Sequence, residues 1–225
     1  MVIAVVGDIN IKETKKVISE TLGQNQNTNP NLVEPEIIEK DDKGSELVTE
    51  DKLAHTYMLA GFIGPDMSSK DIYVADVALN ILRSGISSRF NRILKEEKEL
   101  VYSISSSFMT LNGTGTAYIS AIFDKNNNEQ VQDVLVQELD KFTNEGPTQE
   151  ELNKIKINMK ADWLFDLQTF NEQASLMGFW KLFNHLEVFE NYLANIEKVT
   201  AEDVKNFMKK YYSKEKLSKV VVFPK

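Results

Sequence analysis

The sequence predicts an α+β fold, with one antiparallel β-sheet and helices packed on one of its faces. Short apolar runs rich in β-branched residues, typical of strands, occur in the first half of the chain and return at its end. Asn112-Gly113 joins two such runs, which indicates a hairpin. The stretch 127–212 shows helical spacing of apolar residues instead, so helices should precede the returning strand.

The chain is predicted to contain three segments: a terminal strand and helix (1–23), an extended linker (24–45), and an α+β domain (46–225). Val2–Val6 is a continuous apolar, β-branched run that predicts a buried strand. Asn10 is a suitable N-cap for an amphipathic helix that ends at Gly23. A buried strand so close to Met1 suggests an excised fragment, with a short native N-terminus as the alternative. The linker is rich in Asn, Gln, Pro, Glu and Lys.

Strands and helices of the main domain follow from periodicity and capping signals. Strands are predicted at 46–51, 54–62, 101–111, 114–123 and 219–223. Helices are predicted from Ser68 or Ser69 to Leu82, and at 87–97, 127–144, 148–167, 169–185, 189–197 and 201–212. Capping boxes begin two of them, at Thr148 with Glu151 and at Thr200 with Asp203. The helical spacing of six aromatic residues favours core positions over a ligand groove: Trp163, Phe165, Phe170, Phe179, Trp180 and Phe183.

Composition and charge exclude several classes of function. Hydrophobic residues make up 42% and charged residues 27%, which is ordinary for a soluble globular protein. The net charge of −8 comes from scattered acidic residues, which disfavours a nucleic-acid partner. No apolar run approaches the roughly 20 residues of a transmembrane helix. The absence of cysteine leaves the compartment open between cytoplasm and periplasm.

The histidines and cysteines indicate that this chain holds no zinc-peptidase site. A catalytic zinc needs about three protein ligands, and the sequence has no Cys and only His55 and His185. Neither histidine belongs to a motif that places two His on adjacent helical turns. Both are therefore interpreted as structural residues, and no catalytic residue is assigned. The adjacent acidic pairs Glu96-Glu97 and Glu150-Glu151 are interpreted as solvated helix faces.

The segment Ser84–Tyr102 resembles part of the metal-free half of the pitrilysin/insulinase family of zinc peptidases. The family form is a Gly-rich turn, Ser-Ser-Arg-Leu, a helix with Leu-Arg-Glu, and then Gly-Leu-x-Tyr entering a strand. The matching residues are Ser87, Ser88, Arg89, Phe90, Leu94, Leu100 and Tyr102. Further matches are 61–66, 145–152, 199–204 and Tyr211-Tyr212, and Val5–Asp8 resembles the last strand of the preceding, zinc-bearing half.

This resemblance implies that the chain completes an active site whose zinc lies elsewhere. In the family, an Arg and a Tyr seven positions apart contribute to the site across a clamshell. Tyr102 fills the Tyr position, but Lys95 stands where the family has Arg. The resemblance thus implies substrate binding by Lys95 and Tyr102, no cofactor bound by this chain, zinc in a partner half, and a peptide substrate. Arg89 and Arg92 match other positions.

Two alternatives remain open at this point. Proteins of the family can lose catalysis and serve as scaffold subunits, and Lys in place of Arg at position 95 is compatible with such an interaction module. An unrelated α+β binding domain is the third possibility, against which a layer of long helices on one sheet would argue.

Overall fold

A computed structural model describes residues 1–25, 43–83, 85 and 88–225, and these contain one five-stranded sheet. The strands are β1 Glu46–Asp51, β2 Thr56–Gly64, β3 Val101–Thr110, β4 Gly115–Phe123 and β5 Ser218–Pro224. Their order in the sheet is β1-β5-β2-β4-β3. The last strand therefore enters between the first two, and β1 and β3 are the outer strands.

Three of the four ladders are antiparallel, and the ladder between β1 and β5 is parallel. The predicted α+β class is confirmed, with the difference that the sheet is mixed rather than purely antiparallel. The hairpin predicted at Asn112-Gly113 joins β3 to β4, and Gly113 has the positive φ of 79° that such a tight turn requires.

The helices also follow the predicted order. They are α1 Ile11–Thr21, α2 Asp71–Arg83, α3 Asn128–Glu145, α4 Gln149–Asp166, α5 Phe170–Leu182, α6 Leu186–Lys198 and α7 Ala201–Tyr211. Both predicted capping boxes are present, at the starts of α4 and α7. The short helix predicted at 87–97 contains a π-helix, Asn91–Glu97. No helix among the described residues combines the length and apolarity needed to cross a membrane.

The helices cover one face of the sheet, as predicted. Along β2, Met58, Ala60 and Phe62 are buried in the core, while Tyr57 and Leu59 are exposed on the opposite face. This alternation is expected because successive strand side chains point to opposite faces. Helices α2 and α7 pack against the covered face, which leaves the other face open.

Two tyrosines at the end of α7 attach it to neighbouring helices. The hydroxyl of Tyr211 donates to Asp71 at the start of α2, with an O–O distance of 2.8 Å. The hydroxyl of Tyr212, which is buried, donates to Asp140 of α3 at 3.1 Å. Burial raises the pKa of both phenols. The Tyr-Tyr pair thus fixes α7, and the strand that follows it, against the rest of the domain.

Arg89 is the most strongly connected charged residue of the core. Only 7% of it is exposed, and its Nε and Nη2 donate to the two carboxylate oxygens of Glu151 at 2.7 and 2.8 Å. Nη2 also donates to the carbonyl of Gly146, and the guanidinium lies 4.7 Å from the ring centroid of Phe142. Such a bidentate geometry is the strongest form of ion pair in proteins.

Glu151 has a second role, because it also closes the capping box of α4 by accepting from the Thr148 amide at 2.8 Å. Burial would raise the pKa of Glu151, but the hydrogen bonds from Arg89 and Thr148 outweigh it and lower the pKa. The interpretation of Glu151 as part of a solvated face was therefore wrong. Its distant partner, 62 positions away, is not visible in local sequence.

The strand predicted at Val2–Val6 is also not present. These residues form no ladder with the part of the chain that the structure describes, and Val2, Ile3 and Val5 are exposed. The segment lies instead against α5, where Ala4 approaches Gly178. The segment therefore adds no strand to either outer strand of the sheet, β1 or β3. The predicted linker falls mostly on 26–42, outside the described residues.

The aromatic residues of α4 and α5 are less buried than predicted. Trp163, Trp180 and Phe183 are partly buried, but three of the six predicted core residues are exposed. The three exposed aromatic residues and two exposed leucines lie on the last turn of α4 and on α5, and we call this set the α4–α5 surface: Leu164, Phe165, Phe170, Phe179 and Leu182. Helix α5 has no single apolar face, because Phe170 and Phe179 lie about 180° apart around its axis, so the spacing of its aromatic residues did not indicate which of them are buried.

Removing Arg89 is expected to destabilise the fold. The Arg89→Ala variant leaves Glu151 partly buried without its partner, which should lower the free energy of unfolding by about 2–4 kcal/mol. Urea denaturation followed by circular dichroism measures this. The double variant Arg89→Met/Glu151→Gln is the control, because it removes both charges and should lose less than Arg89→Ala alone. An equal or larger loss in the double variant would contradict this account.

A carboxylate on α2 should make stability depend on pH. The Tyr192 hydroxyl donates to Asp76 at 2.9 Å. Burial raises the pKa of Asp76 to about 6, and the hydrogen bond from Tyr192 and the charge of Arg83 offset only part of this. The folded state therefore binds this proton more tightly than the unfolded state does. The stabilisation is present below about pH 4 and is lost as the pH rises through about 6.

Asp76→Asn should remove the loss of stability that occurs as the pH rises through about 6. The asparagine can still accept from Tyr192 but cannot ionise, so the variant should exceed the wild type in stability at about pH 7 by up to about 3 kcal/mol. The two proteins should become similar near pH 4. Urea midpoints measured across this range test it, and parallel curves for the two proteins would show that Asp76 is not the responsible group.

Candidate functional site

Tyr102 lies at a β-bulge in the outer strand β3. Ser103 pairs with Ile122 of β4, while Val101 pairs with Phe123, so Tyr102 is the extra residue without a partner. Without the bulge, alternation along β3 would place Tyr102 on the covered face with Ile104 and bury it. The bulge puts Val101 in the buried position instead. It leaves 54% of Tyr102 exposed.

The ring of Tyr102 is held from one side by His55. The two ring centroids are 4.5 Å apart with a tilt of 52° between the planes. His55 lies just before β2 rather than within a strand as predicted, and it is partly buried. Tilted ring contacts of this kind stabilise by about 0.5–1.5 kcal/mol. Tyr102 is therefore an exposed phenol whose orientation a second aromatic residue limits.

Lys95 lies in the last turn of the π-helix, which packs against β3. Its side chain is exposed, and among the described residues none forms a hydrogen bond or ion pair with it. The π-helical bond is donated by the Lys98 amide to the carbonyl of Ile93 at 3.1 Å. Single π-turns often occur at functional sites. The two predicted substrate-binding residues thus lie on adjoining elements, and both reach solvent.

The connection between these two elements is strained at Glu99. Its φ of 51° lies in the left-handed region, where residues other than Gly, Asn and Asp are uncommon. The family pattern has glycine at this position. The next amide, of Leu100, donates to the carbonyl of Leu94 at 2.8 Å, which closes the end of the π-helix. The chain therefore keeps a glycine-type turn here without the glycine.

The described residues do not fit a zinc site. No group of three or more His, Cys, Asp or Glu side chains comes together within residues 1–25, 43–83, 85 and 88–225. His55 contacts Tyr102, whereas His185 lies 3.2 Å from Glu187 at the start of α6. Each histidine therefore has a structural partner of its own, in a different part of the fold.

The site can provide hydrogen-bond donors. A lysine ammonium has three N–H donors, and a tyrosine phenol has one O–H donor. Two such donors in water-accessible positions can bind a carbonyl oxygen or a carboxylate. Lysine gives a point charge rather than the planar fork of arginine, so its contact with a carbonyl is less directional.

Sequence reasoning missed His55 and the bulge. The contact between His55 and Tyr102 depends on β2 and β3 lying on either side of β4, which no local motif indicates. The hairpin at Asn112-Gly113 fixes the register near the turn, but it does not predict where an extra residue enters. A search of strand registers for the one that buries Val101 could have found it.

A family model described as the peptidase M16 inactive domain matches residues 1–159 of the chain. The zinc protease PqqE of Helicobacter pylori is 24% identical over 230 residues, which are 99% of this chain and 51% of that protein. The uncharacterized zinc protease YmxG of Bacillus subtilis is 27% identical over 142 residues, which are 63% of this chain and 35% of that protein. The chain thus spans about half, or less, of these relatives.

Solved structures share the fold. A crystal structure of a protease from Helicobacter pylori has a TM-score of 0.90 at 24% identity, covering 97% of this chain and 54% of that one. A crystal structure of a peptidase M16 inactive domain from Pseudomonas fluorescens has a TM-score of 0.74 at 21% identity, covering 81% of this chain and 44% of that one. At these identities, the likeness shows the fold alone.

Replacing Glu99 with glycine should stabilise the chain. Glu99→Gly relieves a left-handed backbone conformation that costs about 1–2 kcal/mol for most residues. Part of this gain is lost because glycine gives the unfolded chain more conformational entropy. The net gain should be about 0.5–1 kcal/mol by urea denaturation. Asn184, with φ of 63°, is a matched control, because asparagine tolerates this region and Asn184→Gly should gain less. Equal gains at the two positions would contradict the account.

Proposed function

Because the chain belongs to the family of peptidase M16 inactive domains, we propose that it is the non-catalytic, substrate-binding half of a zinc-dependent peptidase. A partner half with an H-x-x-E-H motif would hold the zinc and supply the catalytic groups. This chain would bind the peptide substrate and complete the site. The zinc-protease names of two relatives, which are longer than this chain, support the proposal.

The exposed phenol at the bulge is the observation that carries the proposal. A tyrosine at position 102 would be buried by simple alternation, yet the chain inserts an extra residue in β3 and leaves it in solvent. Leaving this aromatic ring about half exposed gives up part of the roughly 1.5–3 kcal/mol that full burial of a large apolar side chain provides. Bulges that re-aim a side chain occur preferentially beside functional sites. The contact with His55 limits the ring without covering it.

In this proposal, Lys95 and Tyr102 bind the peptide carbonyl next to the bond that the partner half cleaves. The ammonium and the phenol would both donate to that oxygen, and the interaction would strengthen as negative charge develops on it. Lysine in place of arginine should reduce the directionality of this contact without removing its charge. His55 would position the phenol rather than touch the substrate.

A second function is that of an interaction module without catalysis, for which the α4–α5 surface would provide a binding surface. Phe165 and Phe170 are 66% and 59% exposed, and the exposed residues Val2, Ile3 and Val5 lie beside the same helices. Several large apolar side chains exposed close together in a chain are frequent at protein interaction sites. It would serve a partner subunit equally well whether or not that partner cleaves peptides.

Reconstitution with a zinc-bearing half separates the two functions. Lys95→Ala and Tyr102→Phe should each lower kcat/KM for a peptide substrate by about tenfold to a hundredfold, because each removes a donor that acts in the transition state. Lys98→Ala and Tyr57→Phe are matched controls, since both residues are exposed on neighbouring elements. These two control variants should change kcat/KM by no more than about twofold from the wild-type value.

The cleavage rates of these variants distinguish the two functions. If Lys95→Ala and Tyr102→Phe cleave as fast as their controls, the substrate-binding role is wrong and the interaction module remains. The Phe165→Ser/Phe170→Ser variant should weaken association of the halves in either case. The chain alone should bind no stoichiometric zinc and cleave no peptide, so tight zinc in the purified chain would overturn the division of roles.

A further inference from the structure

The side chain of Tyr192 joins three helices. Tyr192 lies on α6 midway between Val188 and Ile196, the two buried residues of that helix, and the spacing of four puts all three on one face. Its hydroxyl donates to Asp76 of α2 at 2.9 Å. Trp163 of α4 stacks on its ring, with centroids 4.4 Å apart and 23° between the planes. The face by which α6 packs on the domain therefore has a polar contact at its centre.

The charged form of Asp76 receives little support in this interface. Within the described part of the chain, the Tyr192 hydroxyl is the one donor to its carboxylate, and the charge of Arg83 acts on it from an exposed position at the end of α2. The buried ring of Tyr73 lies 6.1 Å from that of Tyr192, and Glu187 of α6 adds a negative charge that acts on Tyr73. A carboxylate with so few partners is costly to hold ionised away from water.

Three further elements pack against α2, namely α4, α7 and β3. Asp166, the last residue of α4, has a negative charge that acts on Tyr192. Lys210 and Tyr211 of α7 bond to Asp71 in the first turn of α2. The strand β3 has no ionisable residue after its second position. Among the described residues, the carboxylate at the centre of α2 therefore relies mainly on one hydroxyl and one arginine.

Helix α5 is attached to the domain mainly through α6. It has no buried residue, and it packs chiefly against α6, which follows it after a short turn. At its other end, α5 begins a few residues after Trp163, which stacks on Tyr192. The contacts of Tyr192 therefore act on both ends of α5, and their loss would loosen α5 together with α6.

We infer that the contact between Asp76 and Tyr192 is a pH-sensitive latch, which docks α5, α6 and the end of α4 on α2 while Asp76 is protonated and releases them when Asp76 ionises. The docked arrangement encloses the carboxylate, whereas release exposes it to water, so the negative charge favours release. The sheet and α2 stay folded in both states. The latch involves this chain alone and needs no partner half.

Acidic conditions should close the latch. Burial raises the pKa of Asp76 to about 6, so the docked state binds this proton more tightly than the released state, in which the carboxylate is hydrated. Docking should therefore be strongest below about pH 4 and weaken as the pH rises through about 6. Burial also raises the pKa of Tyr192, so its hydroxyl remains a donor throughout this range.

Hydrogen exchange of the chain alone, followed by mass spectrometry, tests the latch. The exchange rates of α6 amides are measured at pH 5 and pH 7.5 and divided by the intrinsic rate at each pH. The opening equilibrium of α6 should be about tenfold larger at pH 7.5. At both pH values it should exceed that of β2 and β4, because release leaves the sheet folded. Equal opening of α6 and the sheet would show that α6 leaves α2 only when the domain unfolds, which would overturn the latch.

Asp76→Asn should abolish the response to pH. The asparagine can still accept from Tyr192 but cannot ionise, so the opening of α6 should agree within about twofold at the two pH values. Asp71→Asn is the matched control, because Asp71 also lies on α2 and accepts from a tyrosine, Tyr211, at 2.8 Å. This control should keep the tenfold response. A response that survives in Asp76→Asn, or one that Asp71→Asn removes as well, would overturn the assignment to Asp76.

Tyr192→Phe tests the other half of the latch. This variant keeps the ring that stacks on Trp163 and removes only the hydroxyl. The hydrogen bond from Tyr192 lowers the pKa of Asp76 against the effect of burial, so its loss should move the midpoint of the response to a higher pH. Exchange measured in steps from pH 4 to pH 8 gives this midpoint. An unchanged midpoint would show that the hydroxyl does not act on the carboxylate, which would also overturn the latch.

Discussion

The buried guanidinium of Arg89, held by both oxygens of Glu151, links the two parts of the fold that position the candidate site. Arg89 stands two residues before the π-helix, and Glu151 closes the first turn of α4. The π-helix ends where the Leu100 amide meets the carbonyl of Leu94, and the next residue, Val101, is buried at the start of β3. Tyr102 is exposed because Val101 takes the buried position. The ion pair therefore supports, through a short and continuous segment, the orientation of a residue it does not touch.

Much of this architecture could be predicted from the sequence because its signals are local. The capping boxes at Thr148 and Thr200 and the hairpin at Asn112-Gly113 each depend on residues within a few positions of one another. The order of strands and helices followed from periodicity for the same reason. The one parallel ladder was not indicated, because it depends on where the returning strand enters the sheet.

What could not be predicted depends on distant contacts. Glu151 was assigned to a solvated face because its partner is 62 positions away, and His55 to a structural role because Tyr102 lies on another strand. The identity of the two candidate substrate-binding residues came from family resemblance, whereas their exposure and the bulge came only from the structure. The two faces of the sheet now have distinct properties. One is buried beneath helices, and the other exposes apolar strand residues such as Leu59 and Val220.

The end of α4 and the whole of α5 contribute little to the core. Buried residues of α4 lie in its first three turns, and α5 has none, with Trp180 only partly buried against the core. Segments with few buried contacts open locally at a lower free energy than the core does. The end of α4 and α5 should therefore exchange their amide hydrogens early while the sheet stays protected. A partner that covers these helices would suppress that local opening, so part of its binding free energy would be spent on ordering this chain.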